Sequence, residues 1–322
     1  MKKITLMKNI FKNTSLALFL MLCANAIKAN YEKPESPAIV GRWDITIDMS
    51  GKQVPSWLEV HNSGTHTLVG AFVGTGGSAR PVSLVKFDNG KVSFSIPPQS
   101  EQGDGELSFE ATVQGDNLSG TITFPDGKSY PCAAVRAPSL QQEKAPVWGK
   151  SVTLFNGKDL TGWHTLGNAQ NQWIVENGVL KSPHSGANLV TDQTFTNFKL
   201  HIEFRYPKES NSGVYLRGRY EVQVEDEEEV SPVRDRLGAV YGFIAPSEKA
   251  GKSAGEWQSY DITLVGRMVT VVLNGKQIIC NREIPGITGG AINSKEGEPG
   301  PLLIQGDHGP IEYRNIVITP AE

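Results

Sequence analysis

The chain has 322 residues, of which 39% are hydrophobic and 20% are charged, and its formal net charge is −3. This length leaves room for two domains of ordinary size, and the composition is that of a soluble globular protein. Because acidic residues outnumber basic ones, the chain lacks the excess of lysine and arginine that nucleic-acid phosphates select, and we expect no nucleic-acid partner.

The first 29 residues are predicted to be a secretory signal peptide. A basic segment precedes the short apolar stretch SLALFLML, and small residues up to Ala29 offer a cleavage site. The apolar stretch is too short to span a membrane, and no later segment is long enough. Leu22 directly before Cys23 is a poor lipoprotein signal, so we do not expect a lipid anchor. Cleavage would leave 26 basic and 34 acidic residues, a net charge of −8, in a periplasmic or secreted protein.

Residues 38–137 are predicted to form a β-barrel or a strongly curved meander. Short alternating segments such as RWDITIDM and KVSFSIP are separated by turn sequences that include Asn89-Gly90 and Asp126-Gly127. About eight strands joined in order by tight turns are typical of an up-and-down barrel. Gly41-Arg42-Trp43 resembles the start of lipocalin-like barrels, although a tryptophan in an ordinary sandwich core would read the same way. No cluster of acids, bases or metal ligands occurs here, so this domain is predicted to be accessory.

Residues 138–147 are predicted to be a polar linker, and residues 148–322 a second all-β domain. The hairpin signals Asn177-Gly178 and Asn274-Gly275 lie between alternating segments, and no window keeps a helical period. About a dozen strands favour a two-sheet sandwich of jelly-roll type, whose concave face would suit a sugar. Only two cysteines follow the predicted signal, and buried thiols are favoured over a single disulfide between them; they are Cys132 and Cys280.

Seven sequence blocks occur in order along the second domain. They are LFNGKDL with GW, WIV with NG, NSGVYLRG, YEVQV, GAVYG, GEWQ, and DHG with YRNI. Together they resemble the 3-keto-disaccharide hydrolase family over residues ~150–320. The resemblance implies a concanavalin-like sandwich that acts on glycosides already oxidised to a ketone at C3. It also implies a functional partner, a sugar C3 oxidoreductase, that supplies the ketone.

The implied chemistry begins with the acidic C2 proton next to the ketone. Its removal lets the aglycone at C1 leave by β-elimination, and water adds later. These steps need a base near C2, a donor for the enolate oxygen and an acid for the leaving group. His308, beside Asp307 at the end of an apolar strand, titrates near working pH and is the predicted base. Glu221 shares the polar face of its strand with Gln223 and is predicted to be either a sugar clamp or a base.

Further site residues are predicted from the same blocks. Arg217, placed on one strand face with Tyr215, is the predicted donor for the enolate oxygen or for sugar hydroxyls. Asp226 is the predicted acid, while the later acids of the run 225–229 are expected in a solvated loop. The predicted substrate-binding residues are Gln223, Tyr241, Gln305, Tyr215, Trp163 and His164. No catalytic metal and no cofactor are predicted, because the histidines lack ligand spacing.

Two other functions remain open at this point. A laminarinase-like retaining glycosidase would carry Glu-x-Asp-x-x-Glu on a concave strand, and the segment from Glu221 to Asp226 imitates that spacing. Gln223, however, replaces the helper aspartate, and the acid position holds the shorter Asp226. A non-catalytic carbohydrate-binding protein would use the same amides, acids and tryptophans, since fold does not fix function.

Overall fold

The computed structural model describes residues 36–226 and 232–322. The predicted signal peptide and the acids at 227–229 lie outside these described residues. All regular secondary structure in the described ranges is β-structure, which confirms the predicted fold class. Within the same ranges, no helix has the length and apolarity needed to cross a membrane.

Eight antiparallel strands, connected in sequence order, close into a barrel, as predicted. They are β1 (Gly41–Met49), β2 (Lys52–Ser63), β3 (Thr67–Val73), β4 (Arg80–Asp88), β5 (Lys91–Ile96), β6 (Leu107–Gln114), β7 (Asn117–Thr123) and β8 (Ser129–Arg136). Strand β1 pairs with both β2 and β8, which closes the barrel. Asn89 and Gly90 have φ values of 49° and 77°, the left-handed conformation that the tight turn from β4 to β5 requires.

The barrel interior is a packed apolar core that contains Trp43. This ring is fully buried, and its indole nitrogen donates a hydrogen bond of 2.9 Å to the carbonyl of Ile39. The guanidinium of Arg136 lies 3.9 Å from the ring centroid and donates a hydrogen bond to the carbonyl of Val40. Trp43 therefore joins the segment before β1 to the last residue of β8.

Thirteen strands follow the barrel and form two sheets. They are β9 (Val152–Thr153), β10 (Trp163–Thr165), β11 (Ile174–Glu176), β12 (Val179–Ser182), β13 (Leu189–Phe195), β14 (Phe198–Arg205), β15 (Asn211–Leu216), β16 (Tyr220–Glu225), β17 (Gln258–Val265), β18 (Met268–Leu273), β19 (Lys276–Glu283), β20 (Gly300–Ile304) and β21 (Ile311–Pro320). One sheet has the order β10-β13-β20-β15-β16. The other has the order β11-β12-β21-β14-β17-β18-β19, with β9 paired to β21.

The two sheets share one apolar core, so the predicted sandwich is confirmed. In β14 the alternation of side chains buries Phe198, Leu200, Ile202 and Phe204, and these pack with Val222 of β16 in a single cluster. Strands β15 and β16 are unusual because almost every residue is buried on both faces. The polar face of β16 is therefore covered by other parts of the protein, and this covering creates the site described below.

The barrel and the sandwich belong to one compact unit, Ala38–Glu322. Trp57 and Val73 of the barrel are part of the apolar cluster that fills the sandwich. The Trp57 ring packs edge-on against Phe243, with centroids 5.2 Å apart. Arg42 of the barrel also forms an ion pair of 2.5 Å with Glu283. Because the cores are continuous, the predicted division into a barrel domain that ends at residue 137 and a second domain that begins at residue 148 stays a prediction.

A buried polar cluster lies where β1 meets the sandwich. Glu296 accepts two hydrogen bonds from Arg267, of 3.1 and 2.5 Å, and one of 2.7 Å from the hydroxyl of Tyr220. Burial and the negative charge of Glu296 raise the pKa of Asp44 in β1 to about 9. Asp44 is thus a neutral carboxylic acid at pH 7, which avoids burying two like charges side by side.

The two cysteines of the described residues are unbonded. Cys132 is buried in the barrel, as predicted, but Cys280 is exposed. The prediction of a buried thiol is therefore wrong for Cys280. The reason is its place on β19, an edge strand that turns Ile278 and Ile279 inward and its remaining side chains outward.

Candidate functional site

A pocket of about 300 Å³ opens on the outer face of the five-stranded sheet. Six of the residues predicted from the sequence line it together, and they are His308, Glu221, Gln223, Tyr241, Gln305 and Tyr215. Polar residues Asn188, Asn211 and Asp307 complete the lining with four glycines, Gly289 and Gly290 of the sandwich and Gly76 and Gly77 of the barrel. The alternation of β16 explains the placement, since Val222 and Val224 occupy the sandwich core and leave Glu221 and Gln223 on the opposite face.

Glu221 is positioned by its neighbours on β15. Tyr215 is its cross-strand partner, and the Tyr215 hydroxyl donates a hydrogen bond of 2.8 Å to Glu221 Oε2. The other carboxyl oxygen, Oε1, lies over Gly213, where a Cβ atom would come within 2.2 Å of it. The glutamate side chain thus occupies space that only a glycine at position 213 leaves free.

The environment of Glu221 changes its protonation. The side chain is 3% exposed, and burial together with the nearby charge of Asp307 raises its pKa to about 8. The hydrogen bond from Tyr215 opposes this shift but does not cancel it. Glu221 is therefore largely a neutral carboxylic acid at pH 7 and has a proton to donate.

His308 and Asp307, which also line the pocket, form a hydrogen-bonded pair. His308 Nδ1 lies 2.8 Å from Asp307 Oδ1, and Asn188 donates a hydrogen bond of 3.2 Å to Asp307 Oδ2. The hydrogen bond to Asp307 raises the pKa of His308 above its ordinary value, although partial burial acts against it. The carboxylate holds Nδ1 and leaves Nε2 for a ligand, which is the arrangement of a histidine base.

Two buried glutamines offer acceptors to a ligand. Gln223 and Gln305 are 3% and 7% exposed, and within the described residues Oε1 of each has no hydrogen-bond partner. Leaving a buried polar atom unpaired costs about 1–3 kcal/mol. Both side chains line the pocket, so a ligand rich in hydroxyl groups would satisfy them.

Tyr241 provides a phenol at the same pocket. Burial and nearby carboxylates raise its pKa to about 12, so the hydroxyl keeps its proton at physiological pH. Its backbone nitrogen donates a hydrogen bond of 3.0 Å to the carbonyl of Glu221, which fixes the segment that covers β16.

Four predicted site residues do not line the pocket, and two of them follow strand ends. Arg217 comes after the last residue of β15 with φ of 53°, so it no longer shares a face with Tyr215. Its buried guanidinium donates a hydrogen bond of 2.7 Å to the hydroxyl of Tyr220 instead. Asp226 comes after β16, is 3% exposed, and accepts a hydrogen bond of 2.9 Å from the backbone of Glu209.

The other two residues lie at the start of the sandwich. Trp163 is a core residue whose indole nitrogen donates a hydrogen bond of 2.7 Å to the carbonyl of Leu154. His164 points to solvent and forms a pair of 2.6 Å with Asp192. The strand alternation of β10 explains the difference, because it sends one side chain inward and the next outward.

Sequence reasoning missed several lining residues. Asn211 begins the NSGVYLRG block and was available from it, but Asn188 carried no signal. Gly76 and Gly77 carried no signal either. No group of three or more His, Cys, Asp or Glu side chains in the described ranges is arranged to hold a metal ion. The absence of a metal and of a cofactor stays a prediction.

The chain is similar to known proteins. A family model described as a 3-keto-alpha-glucoside-1,2-lyase-like domain matches residues 150–319. A protein from Bacteroides thetaiotaomicron named 3-keto-disaccharide hydrolase is 30% identical over 94 residues, which are 26% of this chain and 32% of that protein. The aligned stretch thus spans about a third of that relative's length.

Two solved structures are similar to this chain. A candidate glycosyl hydrolase from Parabacteroides distasonis is 30% identical, covers 55% of this chain and 92% of its own, and has a TM-score of 0.46. A beta-glucanase from Bacillus licheniformis is 13% identical, covers 56% of this chain and 100% of its own, and has a TM-score of 0.33. At these TM-scores the two structures assign no activity. The family match covers more than half of the sequence, so the chain belongs to the 3-keto-alpha-glucoside-1,2-lyase-like family, and the predicted family and the prediction of an enzyme are confirmed.

Proposed function

We propose that the protein cleaves 3-keto glycosides by removing the C2 proton, eliminating the aglycone from C1 and adding water. One observation carries the proposal. A histidine–carboxylate pair and a carboxylic acid with a pKa of about 8 line the same small pocket, beside two glutamines with unpaired oxygens. The two titrating groups supply the base and the acid that this chemistry needs.

His308 acts as the base. Its neutral ring accepts the C2 proton at Nε2, while Asp307 holds Nδ1 and stabilises the resulting imidazolium. The electrons of the C2–H bond move to the carbonyl, giving an enolate across C2 and C3. Tyr241, which keeps its proton, donates a hydrogen bond to the enolate oxygen in place of the predicted Arg217.

Glu221 acts as the acid. When the carbonyl re-forms, a double bond forms between C1 and C2, the bond from C1 to the aglycone oxygen breaks, and that oxygen takes the proton of Glu221. Addition of water reverses these roles. The Glu221 carboxylate accepts a proton from water while the water oxygen bonds to C1. His308 then returns a proton to C2. The sequence of steps is a net hydrolysis and leaves both residues as they began.

The substrate class and the cellular setting belong to the same proposal. The name of the Bacteroides relative supports a 3-keto disaccharide as substrate. The ketone has to be installed before cleavage, so a sugar C3 oxidoreductase is the functional partner. The predicted signal peptide supports a periplasmic or secreted enzyme, and the predicted negative charge suits a neutral substrate better than a phosphorylated one.

The decisive experiment compares two chromogenic substrates. The protein is incubated with p-nitrophenyl glucoside and with its 3-keto derivative, and nitrophenol is measured. Release from the keto form alone is expected. Release from the plain glucoside, or new reducing ends from a β-glucan, would instead indicate a retaining glycosidase, and saturable binding without release would indicate a carbohydrate-binding protein.

Replacement of Gly213 by alanine tests the position of Glu221. The new Cβ would lie 2.2 Å from Glu221 Oε1, so the flexible carboxyl has to move away. We expect turnover of the 3-keto substrate to fall by about 10- to 100-fold, the effect of displacing a catalytic group by about 1 Å. Steady-state kinetics and a thermal melt measure the outcome. Gly297→Ala is the matched control, because its Cβ would meet only Pro138 Cγ at 3.6 Å. Unchanged turnover in Gly213→Ala would show that the observed Glu221 conformation is not the active one.

A further inference from the structure

The barrel contributes to the pocket through the loop between β3 and β4. This loop, residues 74–79, brings Gly76 and Gly77 to the lining beside Glu221. The barrel carries no acid or base at the pocket, so its contribution there is shape. A domain without catalytic groups can still discriminate between substrates if it forms a wall of the catalytic pocket, because the wall contacts some substrates and not others.

The loop is in direct backbone contact with the sandwich. A Cβ atom on Gly289 would come within 2.2 Å of the Gly77 carbonyl oxygen, and one on Gly242 would come within 2.5 Å of the Ala79 nitrogen. Such close approach is possible only because glycines occupy the sandwich side of the contact. The position of the loop relative to the catalytic residues is therefore fixed by main-chain packing.

The loop is also braced from within the barrel. Arg80 forms an ion pair of 2.6 Å with Glu101, and both side chains are about nine-tenths buried. Gln99 donates a hydrogen bond of 2.7 Å to the hydroxyl of Ser78, and its backbone nitrogen donates one of 2.8 Å to Glu101. Held by contacts on both sides, the loop forms a wall of the pocket.

The contacts of Gly289 show which side of the substrate this wall faces. The Gly289 carbonyl lies 3.0 Å from the Tyr215 hydroxyl, and that hydroxyl donates to Glu221 at 2.8 Å. The loop that packs on Gly289 is thus next to the proposed proton donor of the leaving oxygen. A group bonded to that oxygen on the side of Gly289 would contact the loop.

We propose that the β3–β4 loop of the barrel forms the subsite for the aglycone, a second sugar ring, and so determines which 3-keto glycosides are cleaved. This inference rests on the proposed function. A Cβ atom on Gly76 would meet no protein atom within 4 Å, so this bare backbone lets a sugar ring approach the wall closely. The barrel would then be a specificity element of the enzyme, in contrast to the accessory role predicted from the sequence.

Gly76 is a suitable position for a test. A Cβ atom there would meet no protein atom within 4 Å, and its backbone is not left-handed, so a larger side chain enters open space without strain. The experiment compares kcat/KM of the full chain and of Gly76→Val for methyl 3-keto-α-glucoside and 3-keto-maltose. We expect the variant to lose about tenfold or more on 3-keto-maltose and to stay within about twofold on the methyl glycoside. Gly297→Ala is expected to change neither value.

Each alternative outcome has a distinct meaning. Equal loss on both substrates, or no loss on either in a folded Gly76→Val protein, would overturn the aglycone subsite and leave the proposed function intact. A wild-type protein that cleaves neither substrate would overturn the proposed function, and this inference with it. If Gly76→Val does not fold, Gly76→Ala is measured instead, with an expected loss of about threefold confined to 3-keto-maltose; the absence of that selective loss would overturn the subsite.

Discussion

The His308→Asn variant is expected to cleave a 3-keto glycoside about two to four orders of magnitude more slowly than the wild type, with substrate binding largely retained. The asparagine keeps a polar side chain at the pocket but cannot accept the C2 proton. Single-turnover kinetics separate the chemical step from binding. Exchange of the C2 proton with deuterated solvent, measured by NMR on a keto sugar with a poor leaving group, isolates abstraction itself and should be lost in the variant.

The pH profile gives a second readout of His308. Only the neutral ring is a base, so activity should fall as the pH drops through the pKa of His308. Because the hydrogen bond to Asp307 raises that pKa, the acid limb should lie above the ordinary histidine value of 6.5. The limb should vanish in His308→Asn.

His164 is the matched control for this variant. It also pairs with an aspartate, Asp192 at 2.6 Å, but it lies outside the pocket. His164→Asn should leave turnover and the acid limb unchanged. If His308→Asn exchanged the C2 proton at the wild-type rate, another residue would be the base, and Glu221 would be the first to examine.

The second large effect is expected for Glu221→Gln, with a loss of about 100-fold or more in turnover. Glutamine keeps the shape and accepts the hydrogen bond from Tyr215, but it has no proton to give the leaving oxygen. The wild type should lose activity as the pH rises through about 8, because the acid must be protonated. This alkaline limb should disappear from the residual activity of the variant. The loss of turnover in Glu221→Gln should be smallest for substrates whose leaving group needs no protonation, such as a p-nitrophenyl 3-keto glycoside.

Stability measurements distinguish this loss from a folding defect. The pKa of Glu221 is raised on folding, so its contribution to stability is fully present below the unfolded pKa, about 4.3, and is lost as the pH rises through about 8. Glutamine does not ionise, and the variant should therefore melt at the same temperature as the wild type or higher at pH 9. Glu110→Gln, at an exposed position of barrel strand β6, is the control and should alter neither activity nor stability appreciably. A Glu221→Gln protein with wild-type turnover would contradict the role of acid.

The sequence was sufficient to predict the strands and about half of the residues that line the pocket. Period-two alternation and tight turns identify the barrel and the sandwich, because local chemistry determines both. Alternation in β16 also shows that Glu221 and Gln223 share a face. It does not show what covers that face, since the cover comes from segments distant in sequence, Tyr241 and the loop at Gly289. The interpretation of this strand as facing a substrate came from the family resemblance.

The wrong placement of Arg217 has its cause at a strand end. The prediction that Arg217 shares a face with Tyr215 continues the alternation beyond Leu216, where the strand has already stopped and the backbone becomes left-handed. Asp226, predicted to lie at the strand end, does follow β16, but it does not line the pocket. Alternation predicts the face of a side chain only inside a strand. The residue at which a strand ends is the feature that sequence patterns predict least reliably.

The shared core of Trp57 with the sandwich has a consequence for how the enzyme reaches its active form. The pocket unites Gly76 with His308, residues separated by most of the described chain, and the barrel and sandwich strands can each pair locally before this contact exists. Contacts so distant in sequence form late and slowly. A chain whose two halves have formed but not docked would hold the proposed acid and base without the wall beside them, and it would leave the Trp57 ring uncovered. Docking of the barrel on the sandwich is then the step that completes the pocket. Until it occurs, the exposed Trp57 ring is the surface at which misassembly between chains would begin.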